Sequence, residues 1–180
     1  MNDKVKIISL AIIIFLLLKK TKKKLTEISN NLSKKAFIDL IKPAAQTVGL
    51  NIGVPYEFII AQIVLETNWG KSELFRKYFN VGGIKAVTGQ EFVEYPTYEY
   101  IKGKKVRINQ KFAVYKTLID GMKGYSKILT NRYFKKYTNK TNNPKAYATL
   151  LQSGTPKYAT DINYVNKIHK LIDTININYL

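Results

Sequence analysis

The stretch "AQIVLETNWGKS", Ala61 to Ser72, decides the fold. It closes the longer run "YEFIIAQIVLET", in which Ile59, Gln62, Ile63 and Glu66 recur at helical spacing on one face. Phe58, Ile60, Val64 and Leu65 fill the other faces. The spacing therefore predicts a helix buried nearly all round, opened by Pro55 at its first position and stopped near Gly70. A glutamate in the last turn of such a helix is the anomaly. A carboxylate taken out of water costs several kcal/mol unless it is paired or protonated, so Glu66 is expected where the helix opens onto a cleft. The negative end of the helix dipole and the apolar neighbours should both raise its pKa, which suits a general acid. Capping, or pairing with Lys71 or Arg76, is the competing structural reading.

Composition narrows the chemistry around that glutamate. With no Cys and one His, thiol catalysis, a disulfide framework and a His- or Cys-rich zinc site are excluded, so no metal and no cofactor are expected. Carboxylates and phenols remain. Acidic residues number only 12 against 30 Lys and Arg, and the net charge of +18 predicts an anionic partner: nucleic acid, acidic lipid or an anionic cell-wall polymer. Hydrophobic content of 46% excludes a disordered chain, and 13 Tyr with 8 Phe can furnish both a core and a cleft.

Upstream, residues 7–18 ("IISLAIIIFLLL") are unbroken apolar sequence between lysines, shorter than the roughly 20 residues that span a bilayer. No small-x-small cleavage pattern follows, so residues 1–24 are read as an N-terminal anchor, with a cleaved export signal as the alternative. The lysines after the run would favour holding the following domain on the cytoplasmic side, a bias that export would have to override. Residues 25–35 read as a tether, and 36–180 as one domain. That domain starts with a helix carrying Phe37, Leu40, Ile41, Ala44 and Val48, which Pro43 should kink or divide, and 49–54 reads as a loop.

Downstream, "EFVEYPTYEYIKGKKVRINQKFAVY" has the β-branched and aromatic content of a β-hairpin with a Lys-Gly-Lys turn. Thr117 with Asp120 predicts an N-cap for a helix whose face runs Leu118, Met122, Tyr125, Leu129, Tyr133. Asn143-Pro144 opens a helix ending near Gly154, and Asp161 opens the last, with Val165, Ile168, Ile172 and Ile175 in register. The expected class is α+β, predominantly helical, with one inserted hairpin. On that hairpin Glu99, within "PTYEY", is the second carboxylate in an aromatic setting, and Glu66 with Glu99 suggests the carboxylate pair of a glycoside hydrolase.

These residues also carry a resemblance. "FIIAQIVLETNWGKSEL" resembles the "AQxxLExxWGxSxL" signature of the glucosaminidase family, the peptidoglycan-cleaving endo-β-N-acetylglucosaminidases of glycoside hydrolase family 73. "FNVGGIKA" is similar to the family's "NNxFGIKA", "PTYEYIKGKKVRI" to "TTEYxxGKxVxx", "KFAVY" to "FRxY", and "KYATDINYVNKI" to "GYATDPxYxxKI". The segments follow the family order from Phe37 to Ile172. The resemblance implies a lysozyme-like fold with a hairpin lobe flanking the active-site groove, and hydrolysis of the β-1,4 bond after N-acetylglucosamine in peptidoglycan glycan strands. It places Glu66 as catalytic acid, Glu99 as auxiliary acid/base or stabilising carboxylate, and Tyr158 beside the cleft. Phe79, Asn80, Tyr98, Tyr115 and Tyr164 become the candidate substrate-binding residues.

Four departures bear on groove shape rather than on reaction type: Phe79 for the first Asn of "NN", Ala113 for the Arg of "FRxY", Lys157 for Gly and Ile162 for Pro. Two mechanisms stay open. Glu99 could activate water directly across roughly 6.5 to 9.5 Å, or the substrate's own N-acetyl oxygen could attack with Glu99 or Tyr158 steadying the charge. "WGKS" lacks the first Gly of a phosphate loop, and His169 reads as a partly buried helix residue. Trp69 reads as a core anchor beneath the Glu66 helix, with sugar stacking as the alternative. A catalytically silent wall-binding protein of the same fold is the rival function. Spread lysines argue against specific nucleic-acid binding. The implied location is the cell envelope, membrane-anchored or exported, or alternatively a phage virion.

Overall fold

The computed structural model describes residues 33–101 and 104–180, the side chains at 98–101 and 105 excepted. The apolar run 7–18, the tether up to residue 32, and the side chains of Tyr98 and Glu99 thus lie outside the described residues. Helix α1 spans Lys34–Ile52, α2 Tyr56–Thr67 and α3 Glu73–Tyr78. The strands β1 (Phe92–Ile101) and β2 (Lys104–Ala113) follow, then α4 (Leu118–Leu129), a 3-10 turn at Lys135–Tyr137, α5 (Pro144–Ser153) and α6 (Tyr164–Asn178). The architecture is the expected one, a predominantly helical α+β fold with one hairpin. Among the described residues no helix is long and apolar enough to cross a membrane.

Helix α2 is the axis of the core. Phe58 to Val64 are all buried, and α1, α5 and α6 pack around it. At about 25 cal/mol per Å² of apolar surface, each of its large aliphatic side chains contributes roughly 2 kcal/mol of burial, enough to fix the helix that ends in Glu66. The end itself is tightly tied. Thr67 Oγ1 donates to Ile63 O (2.6 Å) and accepts from Gly70 N (2.9 Å), while Ser72 N donates to Thr67 O. Asn68, Trp69 and Gly70 all take positive φ (48°, 59°, 77°), turning the chain sharply into Ser72, which caps α3. Gly70 has no substitute here, because a Cβ would meet the Phe37 ring at 2.5 Å. Trp69 is half-buried, edge-on to Tyr179 at 5.8 Å with Lys34 Nζ 4.6 Å from its centroid, and lines neither hollow described below.

Three boundaries differ from the sequence reading. Helix α1 begins at Lys34, capped by Ser33, and runs unbroken through Pro43 to Ile52, absorbing most of the expected 49–54 loop. Pro43 and Asp39 are both exposed, so the carbonyl left without a helical donor faces water, which removes most of the penalty. Gly49 lies inside the helix, where Val54 O would come within 2.6 Å of a Cβ, and the left-handed Gly53 makes the turn instead. Helix α4 stops at Leu129, leaving Tyr133 outside it and exposed. Helix α6 starts at Tyr164 rather than at Asp161, whose Oδ1 accepts from Asn163 N (2.9 Å) in a turn before the helix. The predicted Thr117 and Asn143 caps are present, accepting from Asp120 N and from Lys145 and Ala146 N.

The hairpin pairs antiparallel from Phe92↔Ala113 to Ile101↔Lys104, with Glu99 opposite Val106. Its base is joined to the helical body by Ala113 N to Ile84 O, Ala86 N to Lys111 O and Tyr115 N to Tyr78 O, each 2.9 to 3.0 Å. Asn80 locks this junction. Its Nδ2 donates to Ile84 O and Ala113 O (2.9 Å each) and its Oδ1 accepts from Ile84 N (2.8 Å).

Candidate active site

Glu66 leaves the last turn of α2 at the mouth of a hollow of about 530 Å³, lined among others by Gln62, Ile128, Phe134, Tyr158, Asp161 and Tyr164. The side chain opens to solvent, yet the packed mass around its carboxyl raises its pKa above the ordinary glutamate value, burial being the cause. That is the property a general acid needs. One turn earlier, Gln62 Nε2 donates to Glu66 Oε1 at 3.2 Å. Gln62 is buried, and its Oε1 accepts from Tyr164 Oη at 2.8 Å. The two bonds fix the amide's orientation and make Glu66 Oε1 an acceptor, which leaves the other oxygen to carry a proton toward the groove.

Phenols form the remaining floor. Tyr158 Oη is 2.9 Å from Tyr125 Oη, and the Tyr158 ring packs against Phe134 and Tyr164 at 5.2 and 5.5 Å. Burial pushes the pKa of Tyr125, Tyr158 and Tyr164 well up, so all three stay neutral hydrogen-bonding groups at any physiological pH. Asp161 also lines this hollow. The Lys167 ammonium (2.6 Å) and the Asn163 N–H lower its pKa, and between them they engage both carboxylate oxygens. An ionised, committed carboxylate of this kind holds a loop well and takes up a proton poorly.

A larger hollow of about 910 Å³ adjoins this one. The two share Ile128, and Tyr125, whose hydroxyl reaches Tyr158, lies against Gly82 on the larger side. Size does not single out either hollow; Glu66, the carboxyl with the raised pKa, lies in the smaller one.

The structure sorts the sequence-derived candidates. Glu66 and Tyr158 are brought together in one hollow. Tyr164 is buried beneath it with its hydroxyl committed to Gln62, a support rather than an exposed sugar contact. Asn80 is a correction: it is 1% exposed and its amide is consumed by backbone groups of the hairpin junction, so no polar atom is left for substrate. Phe79 lines neither hollow and takes φ 49° at the end of α3. That left-handed conformation suits the Asn of the family pattern better than Phe. Tyr115 lines the larger hollow with its hydroxyl against Gly124. Gln62 and Asp161 were not singled out from sequence as site residues. Gln62 had a signal in its i,i+4 spacing from Glu66. Among the described residues no group of three or more His, Cys, Asp or Glu could hold a metal ion.

Comparison with known proteins agrees with this geometry. Residues 42–177 match the family model Glucosaminidase, described as mannosyl-glycoprotein endo-beta-N-acetylglucosaminidase. Relatives include the exo-glucosaminidase LytG of Bacillus subtilis, 33% identical across 81% of this chain and 52% of its own length. The peptidoglycan hydrolase FlgJ of Salmonella typhimurium is 29% identical across 78% of this chain and 46% of its own. The chain spans about a third to a half of the length of the curated relatives it matches. Among solved structures, the truncated glycoside hydrolase domain of that FlgJ aligns with TM-score 0.66 at 29% identity, covering 81% of this chain and 99% of the domain. The catalytic domain of the autolysin Auto from Listeria monocytogenes aligns with TM-score 0.72 at 27% identity, covering 88% and 94%. By sequence match and by fold, the chain belongs to the glucosaminidase family of glycoside hydrolases.

Proposed function

We propose that the chain is a peptidoglycan hydrolase that cleaves the β-1,4 bond after N-acetylglucosamine in glycan strands, with Glu66 as general acid. The observation that carries this reading is a carboxyl with a raised pKa at the mouth of a phenol-floored groove, one oxygen held by Gln62. The Glu66 proton passes to the glycosidic oxygen as the C1–O bond breaks, the leaving sugar keeps that oxygen as a hydroxyl, and water supplies the new hydroxyl at C1. Neutral Tyr158 supplies a nearby hydroxyl dipole for the developing charge.

Two routes for the second half of the reaction have different products. Direct attack by water, activated by Glu99 from β1, inverts C1; participation by the substrate's N-acetyl oxygen followed by water retains it. The anomer in freshly released product distinguishes them. The chain acts at the cell envelope, reached by anchoring through residues 7–18 or by export, or carried on a phage virion. Its excess of lysine and arginine favours anionic wall polymers or acidic lipid as neighbours. Mass analysis of fragments from purified peptidoglycan tests the assignment. Reducing-end N-acetylglucosamine is expected, whereas reducing-end N-acetylmuramic acid or free peptides would replace it with a muramidase or an amidase.

A further inference from the structure

The larger hollow carries a charge pattern that cleavage of a glycan does not require. Its wall on α4 presents Lys123 and Lys127, one helical turn apart, and its opposite wall carries Lys85. Among the described residues neither Lys123 nor Lys127 is in an ion pair, and both are exposed. Asp120 is the single acidic lining residue, and its Oδ2 is already bonded to Thr117 Oγ1 at 2.6 Å in the cap of α4. The hollow is therefore net positive.

The opposite wall is kept low. Gly83 and Gly89 have φ of +59° and +79°, and a Cβ on either would meet nothing within 4 Å, so the space above them is open. Tyr115 closes the floor against Gly124. The two hollows adjoin at Ile128, which lines both, so a strand lying over Glu66 has the larger hollow next to it.

We infer that this hollow is a subsite for the carboxylate-bearing stem peptide of the strand being cut, with Lys123 and Lys127 as its recognition groups. The inference rests on the peptidoglycan reading above. The sugar rings of the strand are neutral, and where the lactyl ethers of alternate sugars carry peptides in amide linkage the charge of the strand lies on those peptides. A groove that read sugars alone would gain nothing from unpaired lysines beside it. Two lysines whose backbone positions are about 6 Å apart along the helix axis match a flexible acidic peptide better than a single fixed anion.

The test compares two teichoic-acid-free substrates, glycan strands with their stem peptides and the same strands stripped by an amidase and then amidated at the lactyl carboxylates that stripping leaves, so that neither wall phosphate nor a sugar-borne carboxylate plays a part. The full chain and its Lys123→Gln/Lys127→Gln variant are assayed on both, after thermal unfolding confirms equal stability. The variant is expected to lose about tenfold in kcat/KM on stem-bearing strands, through KM, and less than about twofold on bare strands. Raising salt from about 0.05 to about 0.3 M should weaken wild type on stem-bearing strands alone. Equal losses on both substrates, or no loss on either, would overturn the subsite. If the variant fails to fold as wild type does, single Lys127→Gln is read in the same way. The parent reading fails separately, when wild type releases no reducing-end N-acetylglucosamine from either substrate.

Discussion

Glu66 on the helical body and the hairpin lobe are held by different kinds of structure. Behind Glu66 a chain of side-chain bonds runs inward, Glu66 to Gln62 to Tyr164, joining α2 to α6 across a core of buried aliphatic residues. The hairpin is joined at its base by short backbone bonds, with one buried amide, that of Asn80, linking the loop before the strands to the end of β2. The body therefore holds the Glu66 side chain through redundant packing. The lobe depends on a few polar contacts whose loss nothing nearby can replace.

The strongest way to break the comparison is at the proton. Glu66→Gln keeps the shape and the Gln62 contact but removes the acid, and wall lysis should fall by about a thousandfold or more. The same variant should be more stable at neutral pH. A carboxyl whose folded pKa is raised binds more protons folded than unfolded, so its stabilisation is complete below the ordinary glutamate pKa and is lost as pH rises through the folded value. Wild type should thus lose stability through that window while the Gln variant does not. Thermal unfolding from pH 4 upward, set beside turbidity clearing, reads both effects; a folded variant with substantial lysis would remove Glu66 from the chemistry.

Next in size is the lobe's attachment. Asn80→Ala leaves Ala113 O and Ile84 N without the amide in a buried place, costing about 3 kcal/mol. Denaturant unfolding measures the loss. Hydrogen exchange should show it concentrated in 84–86 and 111–113 while α2 stays protected, and uniform loss across α2 would mean that lobe and body share one support after all.

What was readable in the sequence follows the same division. The α2 stripe, the Thr117 and Asn143 caps and the hairpin are local patterns, since each depends on residues a few positions apart, and each is in the structure. Glu66 was legible because a charge in an apolar helix is conspicuous in one dimension. The bond from Tyr164 to Gln62 joins residues 102 positions apart, and no periodicity reports it. Asn80 reads as a groove residue by its match to the family's "NN" pair, and nothing in its neighbouring sequence tells whether such an amide faces sugar or backbone. Pro43 misled in the other direction, because the cost of proline in a helix depends on whether water can reach the freed carbonyl, and exposure is set by the fold.

A smaller effect isolates the inward chain. Tyr164→Phe removes the donor that orients Gln62, so the amide can turn its oxygen toward Glu66 and accept the acid's proton. A hydrogen bond to the protonated form raises the pKa further. On the proposed reading Glu66 acts protonated and activity is lost as pH rises through its pKa, so the alkaline limb of the kcat/KM profile should move to higher pH, with kcat about tenfold lower and KM little changed. The other groups facing Glu66 (Tyr125 and Tyr158 from the floor, and Asp161 with Lys167 at the rim) are untouched by the substitution. An unmoved limb would reduce Tyr164 to a packing residue.

The smallest expected effect decides which side of the groove can supply a second carboxylate. Asp161 shares the hollow with Glu66, and proximity alone would make it the partner that activates water. Its bonds argue otherwise: Lys167 and the Asn163 N–H engage its two oxygens and lower its pKa, so it is a weak base, and its surroundings are exposed, so water screens the ion pair and it adds little to stability. Asp161→Asn keeps an oxygen for the Asn163 N–H and removes only the charge. Lysis should remain within about twofold of wild type, whereas Glu99→Gln on β1 should cost far more if water is activated from the lobe. A hundredfold loss in the Asp161 variant would move the second carboxylate onto the helical body, and the hairpin would then serve as a wall for the substrate and not as a source of chemistry.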